Sequence, residues 1–237
     1  MRNPFVRFST LLSALVIVSA CEFQVDSFND LADAVPGDRE CATAAGTCTL
    51  RAAVEEANAA GGIWSIAVPA GTYDLDLPVA SGGGRLEITS SMKIRGSGAS
   101  STIVEQQERD TVFQIDNGDV EINNLTISGG NAQAGGGIYQ GGGTLELAYT
   151  VLRDNSVVTG GGGIYIREGA EAFIRRSTIS DNLATGAFGG GLWNQGTVWV
   201  YESAVINNVS NRAGGIRNSG NMNLRSTTVS GNTTRSP

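Results

Sequence analysis

From residue 118 onward the apolar and polar positions recur at long range. The runs GGGIY, GGGGIY, GGGLW and AGGIR place Ile138, Ile164, Leu192 and Ile216 at intervals of 26, 28 and 24 residues. A second landmark is an apolar residue three before an Asn: Leu152 and Asn155, Ile179 and Asn182, Val205 and Asn208, Val229 and Asn232, with the Asn residues 27, 26 and 24 apart. Eight residues before each Asn stand Leu147, Ile174, Val200 and Leu224, and ten before stand Leu145, Ala172, Val198 and Met222. A separation of two is strand alternation, so both columns are predicted to face inward. A period near 25 with short strands, Gly turns and no intervening helix cannot make βαβ units. It predicts a solenoid whose coils stack through parallel ladders about 4.8 Å apart. Stacked Asn at one corner can take the left-handed turn and hydrogen-bond along the column, and Thr150, Ser177, Ser203 and Thr227 can do so more weakly.

Residues 85–131, with LEITSSMKIRGSG and VEINNLTISGG, read as earlier coils. Residues 49–60 read as a helix, with Thr49 as cap, an apolar stripe of Leu50, Ala53, Val54 and Ala57, and Gly61-Gly62 as its stop. An apolar run, Ile63 to Val68, and the turn Pro69-Ala70-Gly71 follow. Residues 1–20 read as a targeting segment, because Arg2 and Arg7 precede an apolar stretch, Leu11 to Val18, that is too short to span a bilayer and ends in small residues.

Composition narrows the chemistry. Gly supplies 33 of 237 residues, about twice its usual share, and 21 of them lie between Gly129 and Gly220 as regular turns. His is absent, which removes Ser-His-Asp and Cys-His catalysis and His-ligated zinc. The net charge is −7, and would be −9 without Arg2 and Arg7. So acidic a chain is repelled by phosphate backbones, which excludes nucleic acid as a partner, and by anionic membrane surfaces.

Several segments resemble known families. Val18-Ser19-Ala20-Cys21 resembles the lipobox of bacterial lipoproteins, which implies lipid on Cys21 and membrane contact only through that anchor. Glu22 in place of the Asp of inner-membrane retention implies the outer membrane or cell surface. The alternative is an ordinary secretory signal with Cys21 left as a thiol. Cys41 and Cys48 then form an even pair in an exported protein, and a disulfide is expected rather than half of a metal site. Acidic and turn residues Asp30, Asp33, Pro36, Gly37 and Asp38, then Cys41, CTLRAAVEEANA at 48–59 and PAGTY at 69–73 resemble the CSLREA domain, with Ala52 where that family has Glu. The resemblance implies a cap on a right-handed parallel β-helix. Residues 85–131 resemble the pectate-lyase-like superfamily, and the Gly-Gly-x-Ile plus apolar-x-x-Asn pair of the regular coils resembles polymorphic outer-membrane-protein repeats, with the Phe of their second motif replaced by Leu, Ile or Val.

The expected fold is therefore all-β: a right-handed parallel β-helix with a short N-terminal helical cap. It divides into a lipoprotein signal peptide at 1–20, a cap with disulfide and helix at 21–62, and the β-helix at 63–237. The next Gly cluster falls due near Pro237, so a longer solenoid is expected.

Register assigns the outward columns. Glu146, Phe173, Trp199 and Asn223 form one, Ala148, Arg175, Tyr201 and Arg225 a second, and Tyr139, Tyr165, Trp193 and Arg217 a third. Aromatic rings flanked by guanidinium groups could stack sugar rings and bind their hydroxyls. The expected ligand-binding residues are Phe173, Trp199, Tyr201, Arg175, Arg225, Tyr139, Tyr165 and Trp193. The aromatics equally suit exposed strands as cover for backbone. Asp154 and Asp181, in equivalent positions of adjacent coils, are the weak catalytic candidates, with capping of their own corners as the leading expectation. No resident cofactor or metal is expected, with Ca²⁺ shared between these two acids as the alternative. The superfamily resemblance implies uronate lyases that use Lys or Arg with bound calcium, but the sole Lys, Lys93, stands apart from the acids of the regular repeats. The expectation is a monomeric, non-catalytic surface scaffold for polysaccharide or cell-surface glycan, with a polysaccharide-cleaving enzyme as the alternative.

Overall fold

The computed structural model describes residues 22–186 and 188–235, so Cys21 and the leader lie outside the described residues. The chain winds as a parallel solenoid with four sheets along its sides. One coil shows the course: Thr144–Ala148 on the first sheet, Val151–Arg153 on the second, Ser156–Gly160 on the third, and Ile164–Ile166 on the fourth. Among the described residues these sheets hold eight, seven, five and six strands respectively.

Strand pairing keeps the sequence repeats in phase. Leu145, Ala172, Val198 and Met222 pair rung by rung, as do Leu147, Ile174, Val200 and Leu224. All of these are buried except Met222, which is half-buried, and Leu224, which is 45 % exposed. Leu224 and Val229 hold the inward register, but the described residues lay no further coil on them.

The corners correct one expectation. The left-handed residue is the one before each Asn: Asp154, Asp181 and Asn207 have φ of 56°, 56° and 57°, and Gly231 occupies the same place at 65°. That residue turns the chain and projects outward. The next one, the repeated Asn, therefore points inward, and Asn155, Asn182 and Asn208 are almost wholly buried. Asn155 Nδ2 donates to Asn182 Oδ1 (2.9 Å), Asn182 Nδ2 to Asn208 Oδ1 (2.9 Å) and Asn208 Nδ2 to Asn232 Oδ1 (3.0 Å). Each Oδ1 also accepts the backbone N–H of the preceding Asn. Thr150 and Ser177 are bonded in the same way, each N–H donating to the hydroxyl of the next coil.

The Gly runs exist partly for this ladder. A Cβ on Gly191 would stand 2.8 Å from Asn208 Nδ2, one on Gly215 2.8 Å from Asn232 Nδ2, and one on Gly163 2.7 Å from Ile179 Cγ2. The two landmarks in the sequence are thus the two sides of one interior contact. Gly191→Ala is expected to lower stability by about 1–3 kcal/mol through overpacking, read as a lower denaturation midpoint.

The N-terminal end is closed by helix α1 (Leu50–Ala60), whose apolar stripe is buried against Leu86–Ile88 and Trp64–Val68. Thr49 Oγ1 accepts from Ala52 N–H at 3.1 Å and donates to Leu31 O at 2.6 Å. Asn58 stands in for a missing strand: Nδ2 donates to Glu87 O (2.7 Å) and Oδ1 accepts from Thr89 N–H (3.0 Å). Buried Glu56 accepts the N–H groups of Gly37 and Arg39, and Asp33 accepts those of Val35 and Ala42, which folds the 33–42 loop onto the helix. Arg51 forms a buried two-pronged ion pair with Asp30 (2.7 and 2.9 Å) and donates to Gly84 O and Arg85 O, tying the cap to the first coils. Glu22–Gln24, grouped with the cap on sequence, is the edge strand of the first sheet and pairs with Trp64–Val68, its Phe23 ring stacked on Trp64 at 4.4 Å.

Cys41 and Cys48 are bridged, with Cα atoms 5.1 Å apart. Opening so short a loop is expected to cost about 2.5 kcal/mol on the chain-entropy model, seen as a lower melting temperature in reductant. Burial pushes the Glu55 carboxyl above its ordinary pKa, against the opposing pull of the Asp33 N–H and Arg51. The folded state therefore holds this proton more tightly than the unfolded chain. Stability from this group rises as pH falls through the raised value towards the ordinary one, and none of it is present at neutral pH. Glu55→Gln should remove that component of a melting profile taken between about pH 7 and pH 4.

Candidate functional site

Two outward columns carry the aromatics. On the first sheet Phe173 and Trp199 are paired neighbours, between buried Ala172 and Ile174 in one coil and buried Val198 and Val200 in the next. Their rings are parallel, 4.5 Å apart with planes 3° from one another. Each ring gives one face to the other, so the column presents edges to solvent and joins adjacent coils. Arg175 forms an ion pair with Glu146. Arg176 donates to Glu202 (2.7 Å) and to the Tyr149 hydroxyl, closing one side of a hollow of about 310 Å³ that Arg175 and Tyr201 also line. Arg225 is exposed in the next coil, paired to Tyr201. Of the two expected guanidinium partners of a sugar, Arg225 is exposed and Arg175 is already held by Glu146.

On the fourth sheet Tyr139, Tyr165, Trp193 and Arg217 follow one another in register. Tyr165 stacks on Trp193 at 4.4 Å, whereas Tyr139 meets Tyr165 edge-on, 68° between planes. Tyr139 therefore turns its ring differently from the two below it. Tyr165 is 8 % exposed, its hydroxyl lies 2.5 Å from Gln195 Oε1, and burial raises its pKa. Phe188 packs on Trp193 and carries the Arg217 guanidinium 4.8 Å above its ring.

These three rings form one wall of a groove of about 420 Å³ between the third and fourth sheets, whose other wall includes Ala132, Gln133 and Thr159. Arg85 and Asp110, an ion pair at 3.3 Å, stand at its N-terminal end. Sequence reasoning missed Arg85, Asp110, Thr159 and Phe188. The first two lie ahead of the regular repeats, and the other two lie in segments where the repeat changes length.

Asp154 and Asp181 project from adjacent corners and are exposed. Among the described residues neither carboxylate accepts a backbone N–H, so the corner-capping expectation is corrected: the left-handed backbone makes the turn, and Asp154 pairs with Arg153. Among the described residues no three His, Cys, Asp or Glu side chains gather as a metal-ligand group.

A family model described as the right handed beta helix region matches residues 89–236, more than half of the chain. The chain belongs to the right-handed β-helix family. No curated protein matches it, and no solved structure does. In this β-helix protein the matched region contains both aromatic columns and Asp110, and leaves Arg85 and the cap outside it.

Proposed function

We propose that this protein is a non-catalytic, exported surface scaffold that holds a glycan in the groove beside Tyr139, Tyr165 and Trp193. The observation that carries the reading is that groove itself: about 420 Å³, walled on one side by aromatic rings and lined elsewhere by Gln, Thr and an Arg–Asp pair. Apolar rings with a few convergent polar groups are the surface that pyranose rings and their hydroxyls require. The Phe173–Trp199 column is a weaker platform, because its ring faces cover each other, and its main work is to bind coil to coil. Lipid on Cys21 and the CSLREA-like cap of residues 24–73 complete the proposal, putting the molecule at the outer membrane or cell surface.

The test is retention of the mature chain on a panel of neutral, basic and acidic polysaccharides, together with an assay for new unsaturated ends. Retention without cleavage, lost in Tyr139→Ala, is the expected result. Accumulating unsaturated ends would replace the scaffold by a lyase. Anchoring is read from the intact mass of membrane-fraction protein, where diacylated Cys21 and no free thiol are expected.

A further inference from the structure

The groove beside the aromatic rings does not stop at Tyr139. At the Arg85–Asp110 pair it meets a second hollow, of about 440 Å³, which passes under helix α1 beside Glu55 and Glu87. Along the outer column of the fourth sheet the rungs run Glu87, Gln114, Tyr139, Tyr165 and Trp193 in register. Four rung spacings make a path of about 19 Å parallel to the solenoid axis.

Charge differs between the two ends of the path: Arg167 lies beside Tyr165 and Arg217 follows Trp193, whereas the end under the helix is acidic. Arg51 is committed to buried Asp30, and Arg85 to Asp110. Glu55 and Glu87 have no ion-pair partner among the described residues, and both line the hollow under the helix. Arg85 Nε and Trp193 Nε1, on residues that line the path, are buried donors without an acceptor among the described residues.

We infer that this path binds a linear amino-sugar polysaccharide lying along the solenoid axis, with its ammonium groups towards Glu55 and Glu87 and its rings against Tyr139 and Trp193. The inference rests on the glycan-binding reading and narrows it to one class. One sugar unit of an extended chain advances by about one strand spacing, so about four units fill the path. A uronate or sulfated chain would bring like charge against the carboxylates of Glu55 and Glu87, neither of which has a cationic partner among the described residues. A basic peptide would meet the charge but has no need of the ring column.

The experiment is calorimetric titration of the mature chain with a fully deacetylated glucosamine hexamer, its N-acetylated counterpart, a neutral glucan hexamer, polygalacturonate and oligolysine. The deacetylated hexamer should bind at least ~10-fold more tightly than the others, weaken as salt is raised to ~0.5 M, and lose little affinity when shortened to four units. Glu87→Gln should weaken it several-fold, whereas Glu105→Gln, the same charge change on the second sheet, should not. Equal binding of the N-acetylated or glucan chain, preference for polygalacturonate, equal binding of oligolysine, or equal effects of the two Glu variants would overturn the inference while leaving a glycan site. Failure of every sugar chain to bind would overturn the glycan-binding reading as well.

Discussion

Asn182→Ala is expected to lower stability by about 3–5 kcal/mol, a fall in melting temperature on the order of 10 °C for a chain of this size. The size follows from what the side chain holds. Asn182 Oδ1 accepts both the backbone N–H and the Nδ2 of Asn155, at 3.1 and 2.9 Å, while its own Nδ2 donates to Leu152 O and Asn208 Oδ1. Asn182 and Asn155 are fully buried, so no water replaces these partners when the amide is removed. Several orphaned groups in one interior column cost more than the bonds themselves contributed. The neighbouring substitution separates ladder from corner. Asp181→Gly should change stability by less than about 0.5 kcal/mol, because the site needs a left-handed backbone and Gly supplies it, as Gly231 does two coils on. Thermal melts of the two variants by circular dichroism check both statements.

The second large effect lies in the cap. Arg51→Met should destabilise it by about 3–5 kcal/mol, because Asp30 is left charged and dry. Asp30 and Arg51 side chains are 1 % and 3 % exposed, and the same guanidinium holds the carbonyls of Gly84 and Arg85. The loss should be local, since in a stacked array each layer leans only on its neighbours. Hydrogen exchange should rise in residues 26–60 and 77–86 and stay low in the coils around Asn182. Adding Asp30→Leu to Arg51→Met should recover much of the loss, because it is the unpaired charge that costs most.

The solenoid was legible because coil spacing is written directly in the distance between repeated residues. Inward columns two apart, such as Val198 and Val200, could be read from alternation alone. The pairing of Gly191 with Asn208 was not, since the two are 17 positions apart and meet only once the coil closes. Nor could the sequence show that Asp154 rather than Asn155 turns the corner, as Asp and Asn both tolerate left-handed backbone. Glu22–Gln24 carried no periodic signal in three residues, so its place in the first sheet became visible only through its ladder to Trp64–Val68. At the candidate site the outward positions of Tyr139, Tyr165 and Trp193 followed from register. The tilt of their rings, which decides what faces a ligand meets, depends on packing that register does not specify.

Because each Asn in the ladder offers its neighbour the same atoms in the same place, a whole coil is an exchangeable part. Excising residues 156–182 would bring Asn155 against Asn208 and Ile138 against Leu192 with the ladder still closed. Duplication of the same block would open no new surface inside. The gene can therefore lengthen or shorten the protein in single steps of about 4.8 Å, each worth one unit of display surface, without redesigning any coil.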